Sequence, residues 1–460
     1  MTKTNRQLYL CLALMFIITG CKKYLEQKPS SSLTIPTKLE EFQNLLDNTD
    51  IMNITNPLPE LSSDDFYVLN NTRYLALRTL TEKNAYIWAK DVYGGELRFQ
   101  GWNGLYSSIF YANNVLDGLD KMSDAAKNQA LWRQLYGAAL FHRAFAHYDL
   151  VRNYAQAFDP QKANQLPGVP IRLTSGIDVY EKRATMEATY NQIFSDLNRA
   201  IPLLNVSVSS SFQNRPSRPA AYALLSRIYL DMGDYRQAGN YADSTLTLHN
   251  KLIDYNTISK TSTSPFGNNG VETLFWSNQA NVYRLTFPGL PVTTASAVID
   301  STLMSKYESN DLRLPIFFLK SGNTYFIKRG YSTGYAFTGL ATDEIYLIKA
   351  ESNIRQGKLP IGLDALNTLM KNRYSGPFLP FSTTDQALAL AKVLLERRKE
   401  LIWRSLRWFD LKRYNRDGAN ITVNRNLNGV NYSLAPDDPR YVFPIPDDEV
   451  NLSGLQQNIR

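Results

Sequence analysis

The break Gly233-Asp234-Tyr235 constrains the fold of this chain more than any other feature. Tyr222 stands eleven residues before the glycine, and Leu225, Ser226 and Tyr229 follow it. Ala238, Ala242 and Thr245 come after the break. Large and small residues at these offsets match the tetratricopeptide repeat, a helix–turn–helix unit of about 34 residues. Each small residue is a hole for a large one across the hairpin. The spacing therefore predicts paired helices over 219–248. One such unit cannot bury its own apolar face, so neighbouring units are required. A weaker copy runs from Asp343 to Arg373, with Tyr346, Leu347, Ala350 and Glu351 before Gly357 and Ala365, Leu366, Leu369 and Met370 after it. Its turn, Lys358 to Gly362, is longer and contains Pro360.

Helical periodicity appears elsewhere. Leu39, Phe42, Leu45 and Leu46 form a stripe, with Thr37 as the expected N-cap and Glu40 as its capping-box partner. Trp102, Leu105, Tyr106, Ile109, Asn113, Leu116 and Leu119 mark a helix from about Gly101. A second is expected from about Asp124 to Tyr154. Its Gly137, Ala138, Ala139, Ala144 and Ala146 would let neighbouring helices come close. Between 251 and 342 the periodicity fades. Ser, Thr, Asn, Gly and Pro become frequent, and short β-type runs such as Thr324-Tyr325-Phe326-Ile327 appear. Loops held by a rigid frame are where binding residues tend to lie. The expected fold is mainly α: a tetratricopeptide-like helical-repeat scaffold with a loop-rich, partly β elaboration.

The N-terminus reads as a bacterial lipoprotein signal. Lys3 and Arg6 precede the 11-residue apolar run Leu8 to Ile18, and Gly20 precedes Cys21. The run is shorter than the roughly 20 residues a bilayer span needs. The Cys21 thiol would take a diacylglycerol through a thioether, and cleavage before it would leave Cys21 as the first mature residue. The expected organisation is a signal peptide over 1–20, a lipidated tether over 21–36, an N-terminal helical-repeat part over 37–250, a loop-rich ligand-facing part over 251–342 and a C-terminal helical part over 343–460.

Composition narrows the chemistry. The two cysteines are Cys11, inside the signal, and Cys21. The mature chain then has no free thiol, disulfide or thiolate metal site. His142 and His147 lie five apart in one expected helix, poor spacing for chelation, and His249 is isolated. No metal site, cofactor or catalytic triad is expected. The net charge of +8 is scattered over 50 basic and 42 acidic residues, so nucleic-acid binding is not suggested. Aromatic residues are plentiful, with 28 Tyr, 21 Phe and 6 Trp. Such residues serve helix packing, and also sugar or peptide recognition through flat apolar faces with polar edges.

The densest segment is Glu396-Arg397-Arg398-Lys399-Glu400-Leu401-Ile402-Trp403-Arg404-Ser405-Leu406-Arg407-Trp408-Phe409-Asp410-Leu411. Leu394, Leu401 and Trp408 repeat every seven residues, as do Leu395, Ile402 and Phe409, which predicts one wide apolar helix face. Glu400 and Asp410 are read as partners of arginines at a packing seam rather than as catalysts. Trp102, Trp132, Trp403 and Trp408 are read as core.

At these residues the chain resembles the SusD/RagB family, outer-membrane nutrient-binding lipoproteins of Bacteroidetes. That family carries Glu-Arg-Arg-x-Glu-Leu, a short spacer, then Arg-Trp-Phe-Asp-Leu. Phe141-His142-Arg143-Ala144-Phe145 with Asp149-Leu150-Val151-Arg152, Glu344 to Glu351, Asp311-Leu312-Arg313 after Tyr307, and Phe443-Pro444-Ile445-Pro446 also correspond. The family spacer often reads Phe-Glu-Gly-His where this chain has Trp403-Arg404-Ser405-Leu406, so an acidic residue has become basic and the local ion pairs must differ. The family often ends Gln-Asn-Pro-Gly-Tyr; this chain ends Gln457-Asn458-Ile459-Arg460.

The resemblance implies a scaffold of about four helix pairs, lipid-tethered and outward-facing on the outer membrane. It implies a TonB-dependent (SusC-like) transporter as partner, with the lipoprotein as its lid and an oligosaccharide, or sometimes a peptide, as ligand. It directs attention to Tyr67, Trp88, Trp276 and Tyr283 as ligand-binding aromatics, with Asp65 and Arg73 as polar partners. Two other readings compete: a helical-repeat scaffold that grips other proteins without a small ligand, and an anchored glycoside hydrolase. A hydrolase needs two carboxylates about 5–10 Å apart in a cleft. Asp64-Asp65, Asp437-Asp438 and Asp447-Asp448 are adjacent pairs, expected instead to be solvated or to cap helices.

Overall fold

The computed structural model describes residues 36–176, 180–267, 270–280, 283–332 and 334–460. The expected signal peptide, Cys21 and all but the last residue of the expected tether lie outside them. Helix α1 (Leu39–Leu46) buries Leu39, Phe42 and Leu46. Lys38 rather than Thr37 holds the N-cap position. Glu41 rather than Glu40 reaches back, its Oε2 accepting the backbone N–H of Thr37 (2.6 Å) and of Lys38 (3.1 Å). The frame moves by one because only the third residue past the cap can fold back over the first turn.

Helices α2 (Gln100–Asp120) and α3 (Ala130–Tyr154) lie against each other, and α4 (Met186–Ala200) packs on α3. The expected helix over 124–154 is divided: a short turn, Asp124–Lys127, is capped by Ser123 and stands apart from α3. Every α3 residue from Gly137 to Tyr154 is buried, so this helix has no solvent face there. Gly137 permits the close approach of the chain after α4. A Cβ on it would stand 3.0 Å from Leu203 Cβ and 3.2 Å from the Ala200 carbonyl oxygen.

Polar groups on so buried a helix need partners. Arg143 donates to both Asp196 oxygens on α4 (2.8 and 2.7 Å) and to Asn113 Oδ1 on α2 (2.9 Å), joining three helices. His142 and His147 place Nδ1 near the carbonyls of Met52 (3.1 Å) and Arg143 (3.0 Å). Burial pushes their rings down, to about 4 and about 3. They are core histidines.

The repeat at the chain's centre forms as its spacing predicts. Helices α5 (Arg218–Met232) and α6 (Tyr235–Leu248) meet at Gly233, whose φ of 84° is the left-handed conformation that ends α5. Ala238, Ala242 and Thr245 are fully buried. Ser226 Oγ donates to the Ala238 carbonyl (2.9 Å), and Tyr229 stacks on Tyr241 with ring centroids 5.5 Å apart. The weaker copy is α7 (Thr342–Arg355) and α8 (Leu359–Lys371), with α7 packed on α6. Helix α9 (Gln386–Glu400) packs on α7 in turn.

The expected continuous helix through Trp403 does not form. Helix α9 stops at Glu400, and α10 (Arg407–Arg416) starts afresh. Trp403 (φ 62°) and Ser405 (φ 56°) are left-handed, which a right-handed helix cannot contain. The heptad rows 394/401/408 and 395/402/409 therefore do not share one helix. Tertiary bonds hold the kink. Trp403 Nε1 donates to the Thr286 carbonyl (2.8 Å), Ser405 N to Glu60 Oε2 (2.8 Å) and Gln279 Nε2 to Ser405 Oγ (2.9 Å).

Two-stranded pairs stitch the loop-rich part to the helical frame. Ile54–Thr55 runs parallel to Asn278–Gln279, and Phe66–Val68 antiparallel to Ala297–Ile299. Thr273–Phe275 pairs with Leu340–Ala341 at the start of α7. The run read as β-type, Thr324–Ile327, pairs with Phe318–Ser321. Helix α11 (Asp447–Ser453) lies close to the C-terminus.

Candidate functional site

The six side chains nominated from the sequence divide into two groups. Asp65, Trp88 and Tyr283 are buried. Trp88, 1 % exposed, donates Nε1 to the Ser62 carbonyl (3.0 Å), and the Arg425 guanidinium lies over its ring at 4.6 Å. Asp65 accepts from Arg398 Nε (2.9 Å), and Tyr283 donates to Glu96 Oε1 (3.3 Å). Tyr67, Arg73 and Trp276 are half-buried. Trp276 packs with Tyr331, Phe337 and Ala341, away from the other two.

Tyr67 and Arg73 border one stretch of chain. Tyr67 packs, as do Leu290 and Val292, on the buried cluster of Ala295, Val298 and Phe326, and Arg73 Nη2 donates to the Thr293 carbonyl. The same stretch carries Phe287, whose ring meets the exposed Tyr335 edge-on at 6.0 Å. Exposed Leu69 and Leu75 flank Tyr67 and Arg73 in the chain. Phe287 and Tyr335 were not singled out from sequence because no periodicity separates exposed from buried aromatics in a loop-rich segment.

The charged motif is structural. Arg397 binds Asp410 (2.9 Å), Asp410 binds Arg413 (2.8 Å), and Arg413 grips both Glu351 oxygens (2.6 and 2.8 Å). Arg227 grips Glu344 in the same way (2.8 and 2.6 Å). These pairs lock α9 and α10 to α7, and α7 to α5. Arg404, basic where the family is often acidic, finds Asp343 (3.1 Å). The adjacent carboxylates are also engaged. Asp64 pairs with Arg407 (2.6 Å) and Arg398 (3.3 Å). Burial opposes its ionisation, but those arginines prevail and hold it well below the usual carboxylate range. Asp438 pairs with Arg440 (2.6 Å), and Asp448 accepts the Arg98 backbone N–H (2.8 Å). Among the described residues no group of three or more His, Cys, Asp or Glu side chains is arranged to hold a metal ion.

A cleft of about 530 Å³ opens on the outer side of α2. Asn103, Tyr106, Phe110 and Tyr111 line it from α2, Arg172 and Tyr180 from the segment before α4, and Glu449 from α11. Trp102 sits at its base, 1 % exposed, with Tyr106 5.0 Å from its ring centroid. Tyr106 donates to the Pro170 carbonyl (2.9 Å), which fixes the opposite wall. Tyr180 is 62 % exposed. Burial, then the neighbouring Asp448 charge, raises the Glu449 carboxyl above its ordinary range. A signal for this wall exists in the sequence: Trp102, Tyr106 and Phe110 recur every four residues beside the buried stripe.

No described helix is long and apolar enough to cross a membrane. Residues 23–230 match a family model described as starch-binding and associating with the outer membrane, and residues 327–459 match one described as the SusD family. Among solved structures, a SusD superfamily protein from Bacteroides thetaiotaomicron is 19% identical, with a TM-score of 0.74 over 92% of this chain and 100% of that one. A putative sugar binding protein from Bacteroides vulgatus is 23% identical, with a TM-score of 0.73 over 93% of this chain and 99% of that one. A SusD superfamily protein from Bacteroides vulgatus is 20% identical, with a TM-score of 0.71 over 92% and 99%. At these identities the likeness establishes the tetratricopeptide-like fold. No curated protein matches the chain.

Proposed function

We propose, because the chain belongs to the SusD/RagB family, that it is a lipid-anchored receptor on the outer cell surface that captures glycan and passes it to a TonB-dependent transporter. The observation that carries this reading is the pair of family matches, one over residues 23–230 described as starch-binding and associating with the outer membrane, the other over residues 327–459. The surface formed by Tyr67, Arg73, Phe287 and Tyr335 supports it with the exposed Tyr335 ring and two half-buried rings beside a cationic group and backbone polar groups. The engagement of Asp64, Asp65, Asp438 and Asp448 in ion pairs and a backbone bond favours binding over hydrolysis.

The physical logic is modest affinity at a fixed place. Stacking a sugar face on one aromatic ring contributes on the order of 1 kcal/mol. A few such contacts with hydrogen bonds give micromolar to millimolar binding. Confinement beside a transporter raises effective concentration, so tight binding is unnecessary and would slow release. Each buried methylene of an acyl chain contributes about 0.8 kcal/mol, and one chain alone is marginal, so several chains on Cys21 make a firm anchor. Passing ligand onward calls for a lid that opens by hinged rigid-body motion.

Cys21→Ser tests the anchor and the topology together. The wild-type protein should sediment with outer membranes and be digested by protease added to intact cells. The variant should leave the membrane fraction. A variant that stays membrane-bound, or a wild-type protein that external protease never reaches, overturns the reading.

A further inference from the structure

The α2 cleft is not among the surfaces singled out above for ligand, and its chemistry is specific. Its volume of about 530 Å³ falls within the range of small-ligand sites, about 300–1,000 Å³. Phe110 and Tyr111 are half-buried on one wall, their rings 6.2 Å apart and near perpendicular. Tyr180 stands exposed on the other side. A fully packed fold gains nothing from an exposed tyrosine facing a cleft. Asn103, half-buried, adds a polar side chain to the α2 wall.

We propose that this cleft is a second carbohydrate site, for a stretch of neutral oligosaccharide, separate from the surface bearing Tyr67 and Arg73. The proposal rests on the glycan-binding reading and adds to it a place and a charge preference. Flat apolar rings accept the C–H faces of pyranoses, and the exposed Tyr180 offers its hydroxyl to those of the sugar. The charged lining is mixed, with Arg172, Glu181 and Glu449. Two carboxylates against one guanidinium repel uronic acids and sulfated sugars, while sugar hydroxyls satisfy both signs. A peptide strand fits less well, because its backbone N–H and C=O groups need a paired edge and the walls here are helix and side chain.

The test places a reporter in the cleft. Ser107→Cys on the exposed rim, in the full chain held in detergent, gives one attachment point for an environment-sensitive fluorophore when Cys21 carries lipid. Probes are maltoheptaose, xylohexaose, mannohexaose and cellohexaose, with an oligogalacturonate and a decapeptide as comparators. At least one neutral oligosaccharide should change the emission saturably. Tyr180→Ala, at an exposed position, should weaken that response at least tenfold, and Tyr67→Ala should leave it unchanged. The proposal fails if no neutral probe gives saturation, if Tyr180→Ala has no effect, or if the oligogalacturonate or the decapeptide binds more tightly. A silent reporter together with polysaccharide binding that Tyr67→Ala and Arg73→Ala abolish would sink this site and leave the receptor reading intact.

Discussion

Arg313→Met is expected to destabilise the protein by about 3–5 kcal/mol, enough to consume much of the stability of an ordinary domain. Arg313 is fully buried. It binds Asp311 through Nε (2.8 Å) and Nη2 (2.7 Å), Glu396 through Nη2 (2.5 Å) and Glu400 through Nη1 (3.1 Å). Those carboxylates also reach Lys399 and Arg373: Lys399 to Asp311 (2.7 Å), Arg373 to Glu400 (2.7 Å) and to Glu272 (2.7 Å). The cluster ties the loop after Tyr307 to the end of α9. Methionine keeps the apolar stem and removes the charge, so the loss measures carboxylates left underpaired out of water. Urea denaturation of wild type and variant reads it. Adding Glu396→Gln to the variant should recover part of the loss, because one unbalanced charge disappears. A single-variant loss below about 1 kcal/mol would mean that Lys399 and Arg373 already suffice.

Glu60→Gln should change how stability depends on pH. Glu60 is 2 % exposed, and its Oε1 has no partner. Burial, then the nearby Asp65 charge, pushes its carboxyl up to about 8. In the unfolded chain it titrates near 4.5. Between those values the folded state holds a proton that the unfolded state has released, so stability falls as pH rises across that window and levels off above it. The wild type should lose about 2–4 kcal/mol relative to Glu60→Gln between pH 5 and pH 8.5, at about 1.4 kcal/mol per pH unit where the slope is full. The glutamine retains an oxygen for the Ser405 N–H, and any constant offset from its amide cancels in the pH dependence. Parallel curves for the two proteins would show that Glu60 ionises in the folded state as it does in water.

The repeat at α5–α6 was readable because its packing is local. Gly233, Ser226 and Ala238 do their work within one hairpin, and spacing alone reports it. The kink between α9 and α10 was not readable. Its heptad rows are those of one helix, yet Trp403 and Ser405 are held left-handed by bonds to Thr286, Glu60 and Gln279, all distant in sequence. Ser405 stands where the family spacer often has glycine, and that comparison was the one hint that a helix could not pass through. The division of 124–154 escaped notice because Asp124–Lys127 is helical by composition and only its cap geometry separates it.

Of the residues named for ligand from the sequence, Tyr67 and Arg73 border one stretch of chain, while Trp88 is a core ring beneath Arg425. Burial depends on what packs opposite, and a loop-rich segment has no period to reveal it. The ion pairs of Glu400 and Asp410 were anticipated, because so many arginines surround two carboxylates that sit beside large apolar residues.

The central claim is that this tetratricopeptide-like protein holds glycan. Native electrophoresis of the purified protein through gels cast with a panel of plant, fungal and host polysaccharides tests it most directly. The account predicts that at least one polysaccharide retards the protein relative to a non-binding standard, with a dissociation constant between micromolar and millimolar. Unaltered migration in every gel, by a protein whose helical content and unfolding transition are intact, would contradict it.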